Sequence, residues 1–171
     1  MTQKDLDWLL KKKEQYSQYF NNAKVLEIGS QNINGTVRDA FKDCNYIGVD
    51  WLAGKDVNII CKANETKFEK EYFDTFISFS TWEHDPLWKE DIEHNLSFLK
   101  KGGLILFGWA GLKSIPHGTE WSIYGQYHPK SMEEMKEFLA QLPVIILDTE
   151  QDIRHDSCGE FLLLTAIKNE T

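Results

Sequence analysis

The stretch KVLEIGSQNINGTVRDAF, residues 24–41, constrains this chain more than any other. Val25, Leu26 and Ile28 form a short apolar run that carries an acid, Glu27, one residue before its end. Gly29 and Gly35 then bracket a polar loop, and an amphipathic stretch comes next. This pattern predicts strand, tight loop and helix, with backbone able to lie close against a bound molecule. Further on, a second apolar run, YIGV, ends at Asp50. A glycine-bearing strand-to-helix turn with an acid at the tip of the next strand is how open α/β sheets hold a nucleoside.

The rest of the chain continues the alternation. Leu6, Leu9, Leu10, Tyr16, Tyr19 and Phe20 recur at helical spacing, so residues 1–22 should supply an amphipathic helix that packs on, or lids, the remainder of the domain. Strands are expected at 25–28, 46–49, 57–61, 74–80 and 104–109. Helices should fill 36–42 and 87–99, with a weak one before Tyr72, and Lys100–Gly103 should stop the second through a left-handed glycine cap. Residues 111–129 read as irregular and aromatic. Ser131, with Glu134 at capping-box distance, should open a helix to Gln141. The runs VIILD and EFLLLTAIK then form a closing strand pair around a polar loop at 149–159. The fold class is therefore α/β: a Rossmann-like, mostly parallel sheet with helices on both faces. A chain of 171 residues without linker or repeat fits a single domain, 1–171.

Charge and cysteines narrow the partners. A formal net charge of −8 disfavours nucleic acid and anionic membranes, both of which need a basic surface. Cys44, Cys61 and Cys158 are odd in number and widely spaced, with no zinc-ligand pattern, which fits reduced thiols in a cytoplasmic protein. No segment approaches the length of a membrane span. No acid cluster has magnesium-site spacing, so no metal is expected.

Four segments in register resemble the class I S-adenosylmethionine-dependent methyltransferases, in particular the small "type 11" domains. VLEIGSQNING is similar to their first motif, and GVD, ending at Asp50, to the second. DTFISFSTWEHDP resembles their fourth-strand segment, and LKKGGLILFGW the helix end, glycine pair and fifth strand beyond it. The resemblance spans residues 24–109 and implies a seven-stranded sheet whose last strand is antiparallel. It implies S-adenosyl-L-methionine as cofactor, with Gly29, Ser30 and Gly35 beside its methionine part and Glu27 beneath the loop, near the cofactor's ammonium or ordering the glycine turn. Asp50 would accept from both ribose hydroxyls, and Trp51 would cover an adenine face. Many relatives carry an adenine-reading acid after the third strand. Lys62 stands there and can only donate, so Ala63 through its backbone, or Asn64, would read the adenine, or the adenine end would bind loosely. Ser80 closes the fourth strand beside the cofactor.

The acceptor end is read from residue chemistry. Glu83 and His84 follow the fourth strand at the edge where ligands bind in such sheets. His117, Glu120, Trp121, Tyr124, Tyr127 and His128 crowd one insert, residues 110–129, which suits a substrate loop or an aromatic-anchored surface loop. His84, Glu83, His117 and His128 are the candidate catalytic groups, as bases or orienters of a small metabolite or sugar-like acceptor. Arg154, His155 and Asp156 are expected in a solvated turn, and Lys11–Lys13 on a solvated helix face. Two other classes stay open: a cofactor-binding protein without turnover, and a nicotinamide-dependent oxidoreductase. The second is disfavoured by Gln31, which stands where a dinucleotide loop wants its middle glycine.

Overall fold

In the computed structural model, residues 2–119, 125–154 and 159–169 are described. Seven strands form one sheet: β1 (Lys24–Ile28), β2 (Asn45–Asp50), β3 (Ile59–Ile60), β4 (Phe73–Phe79), β5 (Leu99–Ala110), β6 (Val144–Arg154) and β7 (Gly159–Lys168). Their spatial order is β3-β2-β1-β4-β5-β7-β6. Pairing is parallel from β3 through β5, and β7 runs antiparallel to both β5 and β6. This is the mostly parallel sheet read from the alternation of elements, with the seven strands and antiparallel last strand that the family resemblance implies.

Central strands are apolar on both sides because helices cover both faces. On one face, α1 (Gln3–Gln15) buries Trp8 and Leu9 with Phe20, Val37 and Ala40 against Val25, Ile77, Leu104 and Leu106. On the other, α2 (Trp88–Leu96) and α3 (Met132–Leu139) bury Ile92, Leu96, Met135 and Phe138 against Leu26, Phe76, Ile105 and Phe107. The alternation Val25/Leu26 and Phe76/Ile77 thus splits neighbours between two cores, as the two-residue period of a strand requires. Ser131 accepts from the Glu134 N–H at 3.0 Å, the cap expected for α3. Among the described residues no helix is long and apolar enough to cross a membrane.

Several expectations are corrected. The helix expected at 36–42 is a single 3-10 turn, Val37–Ala40. The loop consumes the residues up to Thr36, and Asp43 takes a left-handed φ of 54° to enter β2, which leaves no length for an α-helix. The first helix likewise ends at Gln15, and a 3-10 turn, Ser17–Tyr19, carries the chain on. The third strand is only Ile59–Ile60, and the weak helix is a 3-10 turn, Ala63–Glu65. Gly102 does not cap α2, which ends at Leu96; residues 99–103 already belong to β5, where Gly102 has a φ of 71° beside a register shift. The polar stretch after Asp148 is strand up to Arg154, paired with β7 throughout.

That last correction has an electrostatic cause. Acids on β6 face the basic helix α1: Lys4 pairs with Asp152 at 3.3 Å, and Lys12 with Asp148 and with Glu150. The Trp8 indole N–H donates to Glu150 at 2.7 Å. Lys12 is therefore buried, and Lys13 donates to the Ala40 carbonyl at 2.6 Å, so only Lys11 fits the solvated face expected for this run. Arg154 is also buried rather than in a solvated turn. It pairs with the buried Asp5 and lies 4.1 Å over the Phe161 ring. His155, Asp156 and Cys158 lie outside the described residues, as do Glu120, Trp121 and Tyr124 of the insert.

Candidate active site

The connections after β1 and β4 leave the sheet in opposite directions, and a crevice opens at the carboxyl ends of such strands. There lies a cavity of about 500 Å³, within the range of roughly 300–1,000 Å³ usual for small-molecule sites.

The loop after β1 forms one wall. The N–H groups of Gly29 and Ser30 both donate to the Val49 carbonyl, at 2.9 and 3.1 Å, which locks the loop to the tip of β2. Gly29 has a φ of 79°, and a Cβ there would collide with the Thr81 side chain. Glycine is required twice over, by conformation and by space. Asn32 Oδ1 accepts from the Gly35 N–H at 3.1 Å, which closes the loop's far end.

Two acids frame this wall. Asp50 accepts from the Gln31 N–H at 3.1 Å and the Leu52 N–H at 3.0 Å, one bond to each carboxylate oxygen. Burial pushes its carboxyl above the ordinary range, while N–H donors from Leu52, Gln31 and Trp51 pull it down. Its remaining lone pairs can still accept from two hydroxyls. Glu27 is buried below the loop and accepts from the Tyr46 hydroxyl at 2.9 Å. Desolvation dominates there and raises its pKa to about 8, against the lowering effects of the Tyr46 bond and the Arg38 charge.

Glu27, Gly29, Ser30, Gly35, Asp50, Trp51, Ala63 and Ser80 all line the cavity, together with His84 and His117 from the candidate catalytic set. Ser80 holds a left-handed φ of 53°, a strained conformation for serine that turns the chain sharply at the end of β4. Asn64 is exposed and outside the lining, so of the two groups offered for the adenine end only Ala63 reaches the cavity. Lys62 is exposed as well. His128 is also set apart. It sits beside a separate depression with Trp88 and Lys130, its ring against Gln126 Oε1 at 2.7 Å. Its backbone N–H donates to the Glu83 carbonyl at 2.6 Å, so the segment straps Glu83 instead of facing the cavity. Glu83 is fully buried just behind the lining, with one carboxylate oxygen close to ring nitrogens of His84 and His117.

Sequence reasoning missed Thr2, Asp5, Thr81, Cys61, Asp85, Asp91, Arg154 and Phe161, which also line the cavity. Thr2 and Asp5 carry a capping-box spacing that places them at the start of α1, with the Thr2 N–H donating to Asp5 at 2.6 Å. Asp91 is held protonated by burial and by Asp85, with a pKa raised to about 8. Arg154 had no local signal, because its partner lies at the far end of the sequence.

No family model matches the sequence, and no curated protein matches it. Solved structures do. A 1,6-didemethyltoxoflavin-N1-methyltransferase of Burkholderia thailandensis, with bound 1,6-didemethyltoxoflavin and S-adenosylhomocysteine, superposes with a TM-score of 0.75 at 14% identity, over 96% of this chain and 78% of that one. A SAM-dependent methyltransferase of Methanosarcina mazei gives 0.69 at 13% identity, over 90% and 96% of the two chains. The cyclase SpnF gives 0.69 at 13% identity, over 95% and 81%. The sheet order, the antiparallel last strand and these superpositions agree: the chain has the Rossmann-like fold of the class I S-adenosylmethionine-dependent methyltransferases.

Proposed function

We propose that this protein binds S-adenosyl-L-methionine and transfers its methyl group to a small-molecule acceptor. The observation that carries the reading is the convergence of the Gly29–Gly35 loop and the Asp50 carboxylate on one cavity at the carboxyl edge of the sheet. Asp50 takes the ribose hydroxyls, Trp51 and Ala63 the adenine, Gly29, Ser30, Gly35 and Ser80 the methionine part, and Glu27 the ammonium end. A neighbour of the same fold was solved with S-adenosylhomocysteine. The sulfonium methyl is already activated, so the chain's task is to align an acceptor lone pair with the carbon–sulfur axis and to exclude water. His84 and His117 stand at the acceptor end, on the same cavity, as the groups able to take or hold the acceptor's proton.

Residues 1–171 act as one domain in this reading, and the insert at 110–129 builds the acceptor side through His117. Net charge and unbridged thiols at Cys44 and Cys61 support a cytoplasmic protein without nucleic-acid or membrane partners. Differential thermal shift is the direct test. S-adenosylhomocysteine should stabilise the protein and NAD(H) should not; no stabilisation at millimolar S-adenosylhomocysteine would overturn the reading.

One observation favours a second reading, cofactor binding without turnover. Lys62 stands exposed where the resemblance asks for an adenine-reading acid. Tight S-adenosylhomocysteine binding with no methyl transfer to any of a broad panel of acceptors would select it.

A further inference from the structure

Behind the acceptor end of the cavity, one carboxylate and two imidazoles converge. Donor atoms of Glu83, His84 and His117 all lie within 4.8 Å of one another. We propose that these three residues bind a divalent transition-metal ion and leave a coordination position open to the cavity. The sequence led to the opposite expectation, because the third ligand comes from a distant insert and the spacing matches no local motif.

Glu83 poses the physical problem that a cation solves. It is fully buried; neither carboxylate oxygen makes a full hydrogen bond with a described residue, and the donors turned toward it are its own backbone N–H and that of Ala110. A buried carboxylate served only by such weakly placed backbone donors is disfavoured, and native proteins rarely leave one so. Lys130 is the nearby cation, yet its ammonium is spent on two carbonyls, Trp82 at 2.6 Å and His128 at 2.7 Å. No ion pair to Glu83 occurs among the described residues. The group is also firmly placed, on the 3-10 turn Trp82–His84 and strapped by the His128 N–H.

The histidines are oriented for ligation. His117 Nδ1 contacts the Ile115 carbonyl at 2.8 Å. A carbonyl only accepts, so Nδ1 carries the proton and Nε2 presents its lone pair, the arrangement that metal-bound histidines use. His84 packs against both His117 and Tyr127, each at 5.5 Å between ring centroids, which fixes its ring beside the other two donors. Donors around one ion sit about 3–3.5 Å apart when metal–ligand bonds are about 2.1 Å. The cluster must therefore close by roughly an ångström on binding, and the exposed His117 has room to swing.

Two imidazoles and a carboxylate select zinc, cobalt, iron or manganese over calcium and magnesium, which prefer all-oxygen sites. Three protein ligands leave a place for water or substrate. Resting on the methyl-transfer reading, that place suits an acceptor whose reacting atom is a hydroxyl or enol oxygen. The ion would lower the pKa of that O–H, the proton would leave to solvent, and the oxygen would attack the methyl. The new O–C bond forms as the C–S bond breaks, its electron pair going to sulfur to give the neutral thioether.

The test is a Co²⁺ titration of untagged, chelator-stripped protein, read by visible absorption. Stoichiometric binding with ligand-field bands well above those of aqueous Co²⁺, removed by Zn²⁺, is expected. Glu83→Gln and His117→Ala should each weaken binding by roughly tenfold or more. His117 is exposed, so its variant will fold; circular dichroism checks both. Bands no stronger than those of the free ion, or a titration unchanged in both variants, would overturn the proposal. S-adenosylhomocysteine thermal shift on the same preparations separates the two readings. A shift without Co²⁺ bands sinks the metal site alone, and bands without a shift sink the methyl-transfer reading alone.

Discussion

The Tyr46 hydroxyl donates a 2.9 Å hydrogen bond to the buried carboxylate of Glu27, and this one bond is outweighed by the cost of burial. Glu27 accordingly holds its proton up to a pH of about 8, while in the unfolded chain it releases it near 4.5. The folded state thus binds more protons than the unfolded one across that window, and stability must fall as pH rises through it. Neighbouring charges, Arg38, Asp56 and Asp50, modulate the effect without reversing it. Melting temperature should decline between pH 5 and 8, and Glu27→Gln should flatten the decline by the equivalent of a few kcal/mol. Asp91 titrates over the same range and will leave a residual slope, which Asp91→Asn should reduce. Parallel declines in wild type and Glu27→Gln would contradict the assignment.

A proton-linked cofactor is a second consequence of the same carboxyl. If the ammonium of S-adenosylhomocysteine sits against Glu27, its charge favours the ionised form, and binding near neutrality must expel a proton. Calorimetry in buffers of different ionisation enthalpy should show that release in the wild type and not in Glu27→Gln. Equal apparent enthalpies in all buffers would place the ammonium elsewhere.

Asp50 offers a cleaner lever on affinity. Its two oxygens are already aimed by the Gln31 and Leu52 N–H groups, so the site is organised before any ligand arrives. Asp50→Asn keeps the shape and removes the charge. S-adenosylhomocysteine affinity should drop by about 2 kcal/mol, the usual scale for charge-assisted bonds. Isothermal titration measures it; an unchanged dissociation constant would remove Asp50 from the ribose.

Gly29→Ala should damage the fold and not only the site. It adds the cost of a left-handed φ to a collision with Thr81 in a packed loop. The expected loss is about 2–4 kcal/mol, visible as a lowered urea midpoint. Trimming the neighbour, as in Gly29→Ala with Thr81→Ala, should recover only part of the steric share, because the Cβ of residue 81 stays 2.8 Å from the added methyl.

The buried pair of Asp5 and Arg154 makes a strongly non-additive prediction. Arg154→Met alone leaves Asp5 charged and buried, and should cost about 3–5 kcal/mol. Asp5→Leu with Arg154→Met should be much less harmful than the sum of the single changes, because no unpaired charge remains. Chemical denaturation of the four proteins completes the cycle.

The legibility of this fold in its sequence tracks the range of the interactions. Val25–Ile28, Asp50 and the apolar β4 and β5 carry their structure in local patterning, so the sheet and the cofactor wall could be read directly. The 3-10 turn at Val37–Ala40 could not, because helical composition says nothing of the length left after a loop. Residues 149–154 read as a polar loop because their acids are answered by Lys4, Trp8 and Lys12, more than a hundred residues away. Glu83, His84 and His117 likewise became a cluster only when the insert folded back over the end of β4.

The clasp between α1 and β6 also sets an order in time. Leaving the ribosome long before β6, α1 finds its partners on that strand only when the strand has been made, at separations of 136–149 residues. Until then Trp8 and Lys12 lack their partners on β6, Asp5 has only Thr2, and the cavity wall that Asp5 and Arg154 share does not exist. Contacts of such long range form late. The nascent chain can therefore assemble β1, β2 and β4 around the glycine loop, with the apolar face of α1 packed on Val25, Val37 and Ala40, before it owns a closed binding site.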